Sequence, residues 1–295
     1  MERLFVFAFV GLLAQAIDGS LGMAYGVTAS TLLLANGVSP AIASASVHLA
    51  EVGTTAVSGF SHWRFGNVDW RVVARIAIPG AIGAFVGATV LSNLSTESAT
   101  PWVAALLLLL GVYIVARFVF GQPPVVVKGA RPGVKLLAPL GLFAGFIDAT
   151  GGGGWGPVST PTLISSGTMD PRKVIGSVSA SEFAVTIAAS VGFLIGLGGE
   201  ALDWRVVGGL LLGGVIAAPF AAYLVRHLSL PVLGALVGSV ILVTNSRTLL
   251  RAFDAESWAA YVVLGAISAT LVCIAVVKSR QLKAVAERET ESELV

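Results

Sequence analysis

The sequence predicts an all-α polytopic membrane protein made of two inverted repeats. Each repeat is a re-entrant broken hairpin plus three transmembrane helices, and one extra C-terminal transmembrane helix follows. Three observations carry this prediction: the composition, a series of apolar runs of spanning length, and an internal match at an offset of about 130 residues.

Of the 295 residues, 56% are hydrophobic and only 12% charged, and the mean hydropathy is +0.89. A soluble domain carries roughly a quarter of its residues as charges, so a soluble globular enzyme and a disordered chain are both excluded. The single cysteine, Cys273, rules out an intrachain disulfide scaffold and a cysteine metal cluster. Neither a metal nor a cofactor is expected. A net charge of +2 with no basic stripe argues against nucleic acid as a partner. The start, Met1-Glu2-Arg3, has a weak basic region and no Ala-x-Ala site before Asp18, so it is not read as a cleaved signal peptide.

Seven runs have the ~20-residue length of a lipid-spanning helix: Pro40–Ser61, Val72–Leu94, Pro101–Phe120, Val174–Leu197, Val206–Leu228, Pro231–Leu250 and Trp258–Val277. Two more, Leu4–Ala35 and Leu136–Ser166, are too long for one straight span. Each is interrupted midway by glycines, from Asp18 to Gly26 and from Asp148 to Pro157. Four consecutive glycines, Gly151 to Gly154, cannot hold a regular helix. The chain thus divides into a first transmembrane repeat (1–121), a polar linker (122–135), a second repeat (136–252), an extra helix (253–278) and a charged tail (279–295).

The repeat shows on aligning the two halves. Ile17-Asp18 falls on Ile147-Asp148, Tyr25-Gly26 on Trp155-Gly156, Glu51 on Glu182, and Asp69-Trp70-Arg71-Val72-Val73 on Asp203-Trp204-Arg205-Val206-Val207. Each of these last Asp-Trp-Arg runs reads as an N-cap and an interfacial Trp at the start of a helix. Orientation follows from the cations. If both long segments are re-entrant, every Lys and Arg except Arg3, Arg205, Arg247 and Arg251 falls on one side, the cytoplasmic one. If both cross fully, the cations divide more evenly. Re-entrance leaves three spans per half, an odd number, so the halves are inverted, as in many secondary transporters.

Broken backbone at membrane depth survives only where protein or a water-filled cavity covers it. The second half-helix then begins with free N–H groups and about half a positive charge, an anion site that needs no Lys or Arg. Candidate substrate-binding residues are Ser20, Gly22, Tyr25, Gly26 and Thr28 in the first half. In the second half they are Thr150, Gly152, Gly153, Trp155, Gly156 and Ser159. Glycines let the ligand approach the backbone and the hydroxyls donate; Tyr25 and Trp155 would wall the site or offer O–H and N–H. Gly-rich stretches also serve as plain packing surfaces, but two matched stretches favour a site.

Four acids, Asp18, Asp148, Glu51 and Glu182, fall within apolar segments, where a charge costs several kcal/mol unless paired or protonated. Asp18 and Asp148 stand where a carboxylate caps a half-helix; capping and coupling both remain open for them. Glu51 and Glu182 are mid-helix, so coupling or gating is their expected role, with protons as the candidate coupling ion. His48 lies one turn before Glu51 and is a candidate relay to it; its counterpart is Ser179. His62 reads as interfacial.

These duplicated motifs, followed by Pro40 with Ala43–Ser46 and by Pro171 with Ile175–Ser177, resemble the TauE/SafE sulfite exporter family, also called the toluenesulfonate uptake permease family. The resemblance covers about residues 4–277. It departs in the first half, where Leu21, Met23 and Ala24 stand in the places of Gly151, Gly153 and Gly154. It implies a multi-pass carrier of the inner (cytoplasmic) membrane that moves a small anion: sulfite, sulfoacetate or another sulfonate. No Gly-x4-Gly-Lys-Ser/Thr motif is present for an ATPase motor, and no enzyme activity is expected. Two alternatives remain: a passive anion channel, and an intramembrane aspartyl protease with Asp18 and Asp148 as its dyad. Neither Asp has the Tyr-Asp or Gly-x-Gly-Asp context of such enzymes. Substrate identity, direction of flux and oligomeric state are not fixed by the sequence.

Overall fold

The computed structural model describes residues 2–21, 23–121, 131–224 and 229–293. Among these, every regular element is helical. The helices are α1 (Glu2–Leu21), α2 (Tyr25–Ala35), α3 (Pro40–Arg64), α4 (Trp70–Asn93) and α5 (Thr96–Val115, ending in a π turn at Ala116–Phe120). Then come α6 (Val134–Gly151), α7 (Trp155–Ser165), α8 (Pro171–Leu197), α9 (Trp204–Leu224), α10 (Leu230–Ala252) and α11 (Trp258–Glu293). Nine residues of the expected polar linker, 122–130, and residues 225–228 of the expected fifth apolar span lie outside the described residues.

Caps fix several starts, those at Asp69 and Asp203 as the sequence suggests. Asp69 accepts the Arg71 amide, Asp170 that of Arg172, and Asp203 that of Arg205, at 2.8–3.0 Å. Among the described residues, six helices are long and apolar enough to cross a membrane: Trp70–Asn93, Thr96–Phe120, Val134–Gly151, Pro171–Leu197, Pro231–Ala252 and Trp258–Leu282. α3 is not one of them despite its 25 residues; its Ser, Thr, His48 and Glu51 make it too polar. α9 contributes a shorter apolar stretch, Trp204–Ala217.

The two long segments break later than their midpoints. α1 and α6 run 20 and 18 residues, α2 and α7 only 11 each. At 1.5 Å per residue, α6 is about 27 Å long and α7 about 17 Å. Each helix runs past its Asp, to Leu21 and to Gly151, and the Asp side chain reaches forward to the start of the next helix.

Packing is reciprocal. α1 lies against α9 while α6 lies against α4; α4 meets α8 while α9 meets α3; α3 pairs with α8, and α5 with α10. Swapping the first five helices for the next five reproduces these pairs. Small residues set the approach: a Cβ on Gly83 or Gly145 would strike the Leu142 or Gly80 carbonyl across the α4–α6 contact, and one on Gly213 would strike the Ala8 carbonyl across α1–α9. α4 shows the division by face, with Gly80, Gly83, Ala84, Gly87 and Ala88 buried while Ile78, Ile82 and Phe85 point outward.

The glycine contacts also give direction. Gly141 sits at Ile76, Gly145 at Gly80, and Gly87 at Phe146 and Ala149, so α6 runs with α4. Gly176 sits at Asn67, Gly192 at Phe85 and Gly196 at Ser92, so α8 also runs with α4. α8 therefore starts at the end of the bundle where α6 started, and α7 is the limb that returns the chain there. α3 runs against α8, since Ser58 meets Ser179 while His48 meets Phe193.

Candidate functional site

The two breaks touch. A Cβ on Gly26 would fall 2.6 Å from Gly153 Cα and 2.8 Å from the Gly152 carbonyl oxygen. Only glycine permits this contact, and Gly152 and Gly153 also take φ of +71° and +149°. In the first break Ala24 is held at φ +132°, where its second-half partner is Gly154. Beside the contact lies a cavity of about 290 Å³ walled by α1, both breaks, α3 and α8. Asp18, Tyr25, Gly26, Glu51, Asp148, Gly153, Gly156 and Glu182, all expected from the sequence, line it.

Asp18 and Asp148 cap the half-helices. Asp18 Oδ1 accepts the Tyr25 amide at 3.1 Å. Asp148 Oδ1 accepts the amides of Gly154 and Trp155 at 2.7 and 2.9 Å. Each break thus carries its own carboxylate at the positive end of the following helix. The amides of Gly26 and Val27 on α2, and of Gly156 on α7, make no hydrogen bond within the described protein, and all three residues line the cavity.

His48 pairs across the halves with Asp148, not with Glu51. Its Nδ1–H donates to the Ser44 carbonyl at 2.8 Å, and Nε2 meets Asp148 Oδ2 at 3.1 Å. Because a carbonyl only accepts, the ring proton of Nδ1 is fixed. The Nε2–Oδ2 contact then holds one further proton, shared by the pair. Both side chains are almost wholly buried. Ser44 Oγ–H donates to the Ala149 carbonyl at 2.6 Å and Ser30 Oγ–H to that of Gly152 at 2.5 Å. These three links stitch the first half to the second break on the side of the α3 start.

Glu51 is 4% exposed, and its Oε2 has no hydrogen-bond partner. Its Oε1 stands 3.2 Å from the place a Gly26 Cβ would take. Glu182, half-buried, faces the same cavity from α8.

Other expected donors are committed elsewhere. The Tyr25 hydroxyl donates to the Leu210 carbonyl at 3.3 Å, and the Trp155 indole N–H to that of Val178 at 3.1 Å. Both aromatics act as walls, Tyr25 on the cavity and Trp155 buried behind it. Thr150 returns its hydroxyl to Phe146 of its own helix. Thr28 and Ser159 are buried without a partner and do not line the cavity. Gly22 and the side chain of Ser20 lie outside the described residues.

Further polar side chains on the wall are Thr54, Thr55, Ser58 and His62 from α3, Thr160 from α7 and Ser179 from α8. Ser58 and Ser179 share a hydrogen bond of 2.8 Å. The spacing 51, 54, 55, 58, 62 is one helical face, a signal present in the sequence. His62 belongs to the cavity rather than to an interface alone. No Lys or Arg lines it, and no cluster of metal-ligating side chains occurs among the described residues.

Two relatives carry the name of membrane transporters. A Bacillus subtilis (strain 168) protein named "Probable membrane transporter protein YtnM" is 52% identical over 288 residues, covering 96% of each chain. A second from the same strain, "Probable membrane transporter protein YdhB", is 24% identical over 175 residues, 58% of this chain and 71% of the relative. No solved structure matches the chain. The family profile described as "Sulfite exporter TauE/SafE" matches residues 7–248, most of the chain, and the protein belongs to the TauE/SafE sulfite exporter family.

Proposed function

We propose that this membrane transporter is a secondary carrier of a small sulfur oxyanion, sulfite, sulfoacetate or another sulfonate, in the cytoplasmic (inner) membrane. The observation that carries the reading is the cavity where the two breaks meet, with the unbonded amides of Gly26, Val27 and Gly156 on its wall. Amides at helix starts hold an oxyanion without a fixed cation. The hydroxyl of Thr160 and the one donor left over by the Ser58–Ser179 hydrogen bond lie around it.

The two halves act as inverted repeats that rock about this site to alternate access. Reciprocal packing of α1 on α9 and α6 on α4 supports the exchange. The cavity reaches Ser58 and His62 on the last turns of α3 and Ile175 near the start of α8, the end that carries Arg64, Arg71, Arg172 and Lys173. By the positive-inside rule this end is cytoplasmic, so the conformation faces inward. The opposite side is closed by the Ser30, Ser44 and His48 links. That closure favours a carrier over a passive channel. The protease alternative finds no support, because Asp148 has both oxygens engaged and cannot share a proton with Asp18 as a dyad must. The buried acids make protons the coupling ion of choice.

A thermal-shift panel of sulfite, sulfate, sulfoacetate and arylsulfonates on the purified chain tests the ligand class. Saturable counterflow of the ligand in proteoliposomes tests the carrier. Stabilisation by sulfur oxyanions with counterflow is the expected result; a panel in which no anion raises the melting temperature would refute it.

A further inference from the structure

An anion in this cavity meets a difficulty that the geometry itself resolves. The walls hold carboxyl groups and no Lys or Arg, so a bare anion enters against like charge. Asp18 and Asp148 each bind break amides through Oδ1 and balance the helix starts they cap. Glu51 is different. It sits at the middle of α3, is buried, and keeps Oε2 free of any hydrogen bond. Its Oε1 lies over the first turn of α2, beside Gly26, whose amide bonds to none of the described residues. The titratable groups that face it are Asp18 from α1, Tyr25 from α2, Asp148 from α6, Glu182 from α8, and His48 and His62 on its own helix.

Resting on the anion-carrier reading, we infer that the Glu51 carboxylate fills, in the empty carrier, the place at the first turn of α2 that the oxyanion of the substrate takes. The two cannot share it as charges. Binding therefore converts carboxylate plus proton plus anion into carboxylic acid plus bound anion. One proton enters with each anion, so a monoanion adds no net charge to the cavity and a dianion such as sulfoacetate adds one unit rather than two. Once protonated, Glu51 becomes a donor, and its O–H adds a hydrogen bond to the ligand at a site poor in fixed cations. This explains why a buried carboxyl is left without a partner in the empty site, where an unsatisfied group is costly.

The test is calorimetric titration of the full-length protein in detergent with sulfoacetate, whose carboxyl, with an ordinary pKa near 4, stays ionised above about pH 6. Affinity should fall about tenfold per pH unit above the midpoint of the linked group. Binding heats in buffers of different ionisation enthalpy should give one proton taken up per anion. Glu51→Gln should bind with no proton uptake and with pH-independent affinity. Glu51→Asp keeps the proton but withdraws the carboxyl, and should retain the uptake with a changed midpoint. Wild-type binding without proton uptake, or uptake that persists in Glu51→Gln, overturns the inference and leaves the carrier reading standing. No heat with sulfoacetate and no thermal shift with sulfite at any pH overturns both.

Discussion

Asp148 is the most heavily bonded side chain at the site, and its replacement separates hydrogen bonding from charge. In Asp148→Ala the amides of Gly154 and Trp155 lose their acceptor, and His48 Nε2 loses its partner in a fully buried place. A lost cap costs about 1 kcal/mol, and each buried group left unsatisfied about 1–3 kcal/mol. With the two amides counted as the cap and His48 as the buried group, these make roughly 2–4 kcal/mol, or about 4–8 °C in melting temperature for a chain of this size. Asp148→Asn behaves differently. Its Oδ1 still accepts both amides. Its Nδ2–H donates to Nε2, which is free to accept because the ring proton is held on Nδ1 by Ser44. This variant should melt within about 2 °C of the wild type. Thermal unfolding in one detergent, followed by near-ultraviolet circular dichroism, checks both. An alanine variant that melts with the wild type, or an asparagine variant as unstable as the alanine one, refutes the bonding scheme.

The remaining predictions follow from neighbouring contacts. Gly26→Ala drives a Cβ into backbone at Gly152 and Gly153; it should cost about 1–3 kcal/mol and weaken sulfoacetate binding at least tenfold, read by calorimetry. Ala24→Gly relieves the φ of +132° and should add about 1 kcal/mol of stability; a lower melting temperature would remove the strain argument. In a Cys273→Ser background, needed because Cys273 is exposed, Ser58→Cys should react with a membrane-impermeant maleimide from the cytoplasmic face and Ser44→Cys should not. The reverse pattern contradicts an inward-facing state. At the α4 cap, partial burial works against Asp69, but the Arg131 guanidinium at 2.7 Å and the Arg71 amide outweigh it and hold the carboxyl below the usual range. A carboxyl lowered by folding stabilises above its unfolded pKa of about 3.9 and ceases to as pH falls through the folded value. The melting difference between wild type and Asp69→Asn should be flat above about pH 5 and vanish in stronger acid, with a magnitude of about 1 kcal/mol or less for so exposed a pair.

Most of the helical plan is written in the chain. Apolar runs, the caps at Asp69 and Asp203, and the glycine interruptions each map onto an observed helix, helix start or break. The doubling of Asp18 as Asp148 announced that two breaks would stand in equivalent places. What the sequence did not reveal depends on contacts across the halves. The partner of His48 lies one hundred residues away on another helix, so local spacing pointed instead to Glu51, one turn off. The commitments of Tyr25 and Trp155 to the carbonyls of Leu210 and Val178 are likewise set by neighbours that no pattern names. The α3 stripe Thr54, Thr55, Ser58, His62 was legible by its period. It went unread because hydroxyls in membrane helices usually return to their own backbone, as Thr55 does to Glu51.

The same cross-half contacts make the two breaks unequal, and that bears on the transport cycle proposed here. At the second break the far oxygen of Asp148 is tied to His48 from the opposite half. At the first break the residue equivalent to His48 is Ser179, which shares its hydrogen bond with Ser58 and not with Asp18. A carrier that alternates by exchanging the roles of its halves would make its two end states equal only if these residues matched. Here one state contains a buried histidine–carboxylate link, and breaking such a link by removing one partner costs about 3–5 kcal/mol. A fraction of that difference is enough to set which state an empty carrier occupies, since 1.4 kcal/mol is about tenfold in population. In the cycle proposed above, His48 standing where the other half has Ser179 would give a resting side, and the proposed competition of Glu51 with the substrate would give each turn its proton.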